Sequence, residues 1–217
     1  MTWHLALGIT GFSIMSAPKE KSKSVACLGI WALHDYNFGM HHTQMQQCPD
    51  CKAWLPAVEG ATHRYVGASP ACWAMFSALV NAGEPPLAPH PLTGLLLDAY
   101  MAQHPGQPSP QAIQSVAVHL LALYGVLEAG VAPEQALWIR LRAVRGAAAD
   151  RHARFAWLTP PDFSGSLTLA DIVAGATPQA RTERAIAYIQ AVWQLWASLH
   201  RRTIADWYGR WVADVDR

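Results

Sequence analysis

The most specific chemistry in this chain is carried by three cysteines. Cys48-Pro49-Asp50-Cys51-Lys52 has the form of a metal knuckle, a tight turn in which two thiolates converge on one ion while backbone N–H groups support the sulfurs. Twenty residues separate Cys51 from Cys72, which stands at an expected helix start, where the positive end of the macrodipole favours thiolate. Three thiolates leave a tetrahedral site one ligand short. His63, in the loop between them, and His104, in Gln103-His104-Pro105, are the two candidates to complete it. His104 is preferred, because a residue before proline avoids the α region and so should stand at a helix end, free to turn away from the helical face. Zinc is the expected occupant, although thiolate-rich donors also suit iron. The competing readings are a redox pair and inert buried thiols. A thioredoxin-like pair needs a βαβ context that is missing, and Lys52 stands where c-type haem attachment requires histidine.

A second constellation combines acid and imidazole. Asp98 lies within Leu95-Leu96-Leu97-Asp98-Ala99-Tyr100-Met101, an apolar setting in which an unpaired carboxylate is costly, so it needs a partner. His119 falls in the stripe Val116, His119, Leu123, Val126, and His200 falls in a tryptophan stripe near the C-terminus, so two histidines face the interior from different helices. This set reads either as an acid–base or second metal site inside a bundle, or as core residues satisfied by hydrogen bonds. In the catalytic reading Asp98 or His119 is the general base, and His63 or His200 positions a substrate. Ser115, one helical turn from His119, is a weak nucleophile candidate. Trp193 and Trp196 read as core rather than as a ligand cage. The G-x-S-x-G elbow, the P-loop, the dinucleotide fingerprint and H-E-x-x-H are all missing from the sequence.

Positioning these residues requires a packed scaffold, and the composition supplies one. The 217 residues are 52% hydrophobic and 14% charged with a net charge of +1, which excludes disorder and a coiled coil. A chain of this length buries roughly 70% of the surface its unfolded form exposes, so it needs no disulfide staples. The near-zero charge leaves no basic field for nucleic acid, which is not expected as a partner.

The punctuation is helical. Proline follows a cap residue at Ser69-Pro70, Ser109-Pro110 and Thr177-Pro178, Thr168 with Asp171 forms a capping-box-like start, and Thr93 is a candidate cap near Leu92. Helices are predicted near 70–82, 93–103, 110–129, 133–147, 169–175 and 178–213, with proline-rich turns between them and a longer connection over 148–167. No useful run alternates apolar and polar residues. In the last helix Ile189, Trp193, Trp196, His200, Ile204, Trp207 and Trp211 recur at steps of three or four, forming a stripe that Val116, Leu120, Leu123 and Leu127 of another helix can cover. The expected fold class is therefore all-α, a helical bundle with an N-terminal zinc-knuckle loop.

Three of the four lysines lie between residues 19 and 23, the fourth is Lys52, and arginine replaces lysine thereafter. This marks residues 1–45 as an N-terminal extension, Cys27 included, and 46–217 as a single helical metal-binding domain; an arm packed through Trp3, Trp31 and Tyr36 is the alternative. The apolar run 3–17 has its lysines after it rather than before it, unlike a signal peptide, and it falls short of the ~20 residues that span a bilayer. The stretch Ser115 to Val131 carries His119 and Glu128 and reads as a buried helix. A cytoplasmic protein without a membrane partner is expected.

In order along the chain, CPDC at 48–51, HRY at 63–65, CW at 72–73, DAYMAQHP at 98–105, SVAVHLLAL at 115–123 and AVWQLWASLH at 191–200 give a succession of motifs. It resembles an uncharacterised bacterial domain-of-unknown-function family with the pattern C-x2-C, a following cysteine, Tyr-x2-QHP and a later HL. The resemblance covers about residues 46 to 210. It implies a zinc site on Cys48, Cys51, Cys72 and His104, and it brings no established reaction. Two functions follow as expectations. One is a metal-dependent hydrolase acting on a small molecule, which needs an open coordination position for water. The other is a non-catalytic, zinc-stabilised interaction or dimerisation module, with a closed four-ligand site and a homodimer as its partner state.

Overall fold

The computed structural model describes residues 44–81, 92–150 and 152–213. The expected extension, its Cys27 and its aromatic residues lie outside the described residues except at 44 and 45, as does the proline-rich turn around His90. The described chain begins with an antiparallel ribbon of two short strands, β1 (Met45–Gln47) and β2 (Trp54–Pro56), with Met45 opposite Pro56 and Gln47 opposite Trp54. The sequence reading placed only a loop here. Strands of three residues are too short to show alternation, and the turn between them, rather than β propensity, sets their register. Leu55 points inward and is buried, while Trp54 and Pro56 on either side of it are exposed.

The helices follow where the caps predict them. They are α1 (Pro70–Asn81), α2 (Leu92–Gln103), α3 (Pro110–Leu127), α4 (Ala136–Ala149, entered through a 3₁₀ turn at Pro133–Gln135), α5 (Leu169–Val173) and α6 (Pro178–Tyr208). Ser69, Ser109 and Thr177 each accept a hydrogen bond from the backbone N–H three residues on, satisfying donors that have no partner within the helix. The Asp171 carboxylate returns to Thr168 N at 2.7 Å and closes the start of α5. Thr93 falls inside the first turn of α2 rather than before it. A π-helical turn, Gly209–Ala213, continues α6 and buries Trp211 and Val212.

Helix α3 is the centre of the bundle and packs against α2, α4 and α6. Every residue from Val116 to Leu123 is buried, so this helix has no solvent face over two turns. It is long and apolar enough to cross a membrane, yet its enclosure by three other helices gives that composition a core explanation. The stripe on α6 covers it as expected: Ile189, Trp193, Trp196, Ile204, Trp207 and Trp211 are buried and His200 is half-buried. Each large side chain so buried is worth roughly 1.5–3 kcal/mol relative to exposure. Three of the indole N–H groups have partners, Trp193 in Glu128, Trp196 in the Ala102 carbonyl and Trp211 in Asp150. Helix α1 and the ribbon form a smaller layer at one side, where α1 meets α2 and α5.

Candidate metal centre

Three separate pieces of chain deliver the site. The turn between β1 and β2 carries Cys48 and Cys51, closed by Cys48 N donating to Ala53 O at 2.8 Å and Lys52 N donating to Cys48 O at 3.2 Å. Lys52 reverses the chain with φ 64°, a left-handed conformation that side chains other than glycine seldom adopt. The first turn of α1 carries Cys72. His104 follows the last residue of α2, with its N–H still bonded to Tyr100 O at 3.1 Å, as expected of a histidine before proline.

The four donor atoms lie within 4.8 Å of one another, and all four residues are buried. The Cys51 and Cys72 sulfurs are 4.0 Å apart, and Cys72 Sγ is 3.4 Å from His104 Nε2. Around a tetrahedral ion with metal–sulfur and metal–nitrogen bonds of ~2.3 and ~2.0 Å, these separations would be roughly 3.8 and 3.5 Å. All three thiols are free of disulfides. His104 Nδ1 donates to Tyr100 O at 2.9 Å, which fixes the ring and turns Nε2 toward the sulfurs, the orientation of a metal-ligating imidazole. The residues present therefore fit a metal ion.

The surrounding contacts support this geometry. Ser69 N donates to Cys48 Sγ at 3.4 Å, and the Tyr100 hydroxyl lies 3.8 Å from Cys72 Sγ. Tyr100 is fully buried and stacks on Phe76 with ring centroids 4.0 Å apart. The Asp50 carboxylate accepts from Gly106 N at 2.8 Å, tying the knuckle to the turn after His104. That turn requires glycine, because Gly106 has φ +67° and a Cβ would lie 2.7 Å from Tyr65 O. At Gly67 a Cβ would run into the Asp50 carboxylate, which would have to shift to admit it.

Electrostatics make the cluster a poor home for three bare thiolates. Hydrogen bonds from Cys51 and Cys72 pull Cys48 far below the ordinary thiol range. Contacts with Cys48 and Cys51, and then burial, push Cys72 far above it. Burial alone would lower His104, but the neighbouring Cys48 and Cys51 outweigh it and push the imidazole up to about 9. Without a cation the site thus retains protons, which a bound metal would displace.

The remaining candidates occupy other places. Asp98, six residues before His104, is fully buried and accepts from His119 Nδ1 at 2.7 Å. Arg140 NH1 of α4 donates to both oxygens of the same carboxylate at 2.7 and 2.8 Å. The acid anticipated to need a partner has two, and together they tie α2, α3 and α4. His63 is half-buried against Tyr65 and Trp73, its pKa lowered by that burial. His200 Nε2 lies 2.8 Å from Thr159 O in the long connection. Asp98 receives its hydrogen bonds from His119 and Arg140, not from His63 or His200. Sequence reasoning missed Arg140, although its place on the buried stripe of α4 with Ala136, Ile139, Ala143 and Val144 was a readable signal. Asp50 was also missed as a support of the site.

A family model described as a family of unknown function, DUF5946, matches residues 46–197. No curated protein and no solved structure matches the chain.

Proposed function

The chain belongs to DUF5946, a family of unknown function, so its role has to be read from its own site, and we propose that it is a helical module stabilised by a structural zinc ion. Cys48, Cys51, Cys72 and His104 would hold the ion, pinning the ribbon and α1 to the end of α2. The observation that carries this reading is the donor set itself: four buried protein ligands close enough to fill a tetrahedral shell and leave no position for water. Three thiolates with one imidazole suit zinc among the common metals. The bound ion would supply charge neutralisation and cross-linking rather than an activated water.

Metal analysis and X-ray absorption on protein purified without added metal test the reading. One zinc per chain with three sulfurs and one nitrogen is expected, whereas no metal, or an oxygen donor from water, overturns it. We further propose that the module pairs with a second copy through the ribbon, whose outward face presents Trp54, 65% exposed, with Met45 and Pro56 beside it. Sedimentation should show a concentration-dependent dimer that Trp54→Ser weakens, and a monomer at all concentrations removes the dimer.

A metal-dependent hydrolase is the second reading, favoured by one observation, the short bond by which Asp98 orients the His119 imidazole. It needs His119 as the base acting on a small-molecule substrate, with His63 or His200 in contact with it. A hydrolytic activity abolished by His119→Ala with zinc retained would establish it. Unchanged turnover in that variant would remove it.

A further inference from the structure

One helical turn serves both the metal centre and the long C-terminal helix. Tyr100 and His104, four residues apart and therefore on one face, turn to the sulfurs of the cluster. Ala102 and Gln103 between them serve the rest of the bundle. Trp196 Nε1 of α6 donates to Ala102 O at 3.0 Å, and the Tyr188 hydroxyl, two turns earlier on α6, donates to Gln103 Oε1 at 2.9 Å. The amide nitrogen of Gln103 donates to Leu167 O, before α5, at 2.8 Å. Gln103, Tyr188 and Trp196 are all fully buried.

Packing alone would favour an apolar residue at position 103, since a buried amide is costly unless both its ends are bonded. Here both ends are bonded, to two different elements, directly beside the ligand histidine. We infer that Gln103 is a positioning residue for the metal centre, held by Tyr188 and Leu167 so that His104 Nε2 is set for the ion before the ion arrives. Metal affinity and the docking of α6 are then linked, and each strengthens the other by the same factor. This inference rests on the zinc reading above.

The test measures zinc affinity by competition with a chromogenic chelator and coordination geometry by the absorption bands of cobalt in place of zinc. Tyr188→Phe, which removes the bond that holds Gln103, is expected to weaken zinc binding several-fold and to shift the cobalt bands. Trp193→Phe, which removes the bond to Glu128 elsewhere on α6, is the control and should leave both unchanged. Equal zinc affinity and an unaltered cobalt spectrum in Tyr188→Phe overturn the inference. Should that variant fail to fold, hydrogen exchange of the wild-type chain decides: chelation is expected to raise exchange in α6 around Tyr188 and Trp196, and a rise confined to the ribbon and α1 overturns it. A wild-type chain that takes up no zinc defeats the metal reading itself, a failure distinguishable from the loss of coupling alone.

Discussion

His104 reaches the thiolate cluster with one ring nitrogen and the Tyr100 carbonyl with the other, so removing the imidazole deletes both a metal donor and the bond that orients it. His104→Ala is expected to lower zinc affinity by more than the ~10–100-fold that an outer-shell loss costs, as read by chelator competition. His63→Ala should leave that affinity unchanged, because its ring packs on Tyr65 and Trp73 instead. Gly67 is the other residue where single atoms decide. A methyl group there runs into the Asp50 carboxylate, so that side chain, and with it its bond to Gly106 N, must give way. Gly67→Ala should destabilise the protein by ~1–3 kcal/mol in denaturant unfolding. Adding Asp50→Gly should recover part of that loss, and strict additivity of the two changes would show that the clash is not the cause.

At the scale of the helices, the Asp98–Arg140–His119 cluster joins three elements through one carboxylate. Removing Arg140 leaves the buried Asp98 carboxylate with His119 as its remaining partner, so Arg140→Leu is expected to cost up to ~3–5 kcal/mol. The double replacement Asp98→Leu with Arg140→Leu should cost less than the single one, since no charge is then stranded. A single variant no worse than the double one would count against a stranded charge. The exit of α4 has its own carboxylate: Asp150 accepts from the N–H groups of His152 and Ala153, from Arg210 and from the Trp211 indole. These donors, His152 N–H foremost, hold its carboxyl down to about 2 from 3.8. A lowered carboxyl stabilises the fold above its unfolded value, and that contribution is lost as the pH falls through about 2. The stability gap between wild type and Asp150→Asn should therefore be larger at about pH 5 than at about pH 2.5, and a gap that does not change with pH would refute the assignment.

For the whole molecule, the ribbon and α1 make a thin layer beside a bundle centred on α3, and the metal donors come from both bodies of structure. An ion that binds only the folded chain stabilises it by mass action, so the melting temperature should rise with free zinc and fall on chelation. Cysteine and histidine ligands must shed their protons to bind, so retention of the ion should weaken as the pH is lowered. A melting temperature indifferent to zinc and chelator would mean that the layer is held by packing alone.

Much of this was legible from short stretches of chain. Ser69, Ser109 and Thr177 announce their helices because a cap acts on the N–H groups two or three residues ahead. The stripe on α6 is visible for the same reason, as a period within one element. Cys48, Cys51 and Cys72 declared metal chemistry by residue type and spacing, and Asp98 declared that it needed a partner. Only the tertiary structure decided which residues answered them. His104, already preferred from its place before proline, lies with the thiols, but Arg140 joins Asp98 from 42 residues away, His200 turns to Thr159, and Gln103 is held by Tyr188 across 85 residues. The ribbon too depends on the turn that closes it rather than on its six strand residues. Caps and periods are written in the interactions of near neighbours, whereas the pairing of distant side chains is settled by how helices pack, which no local pattern encodes.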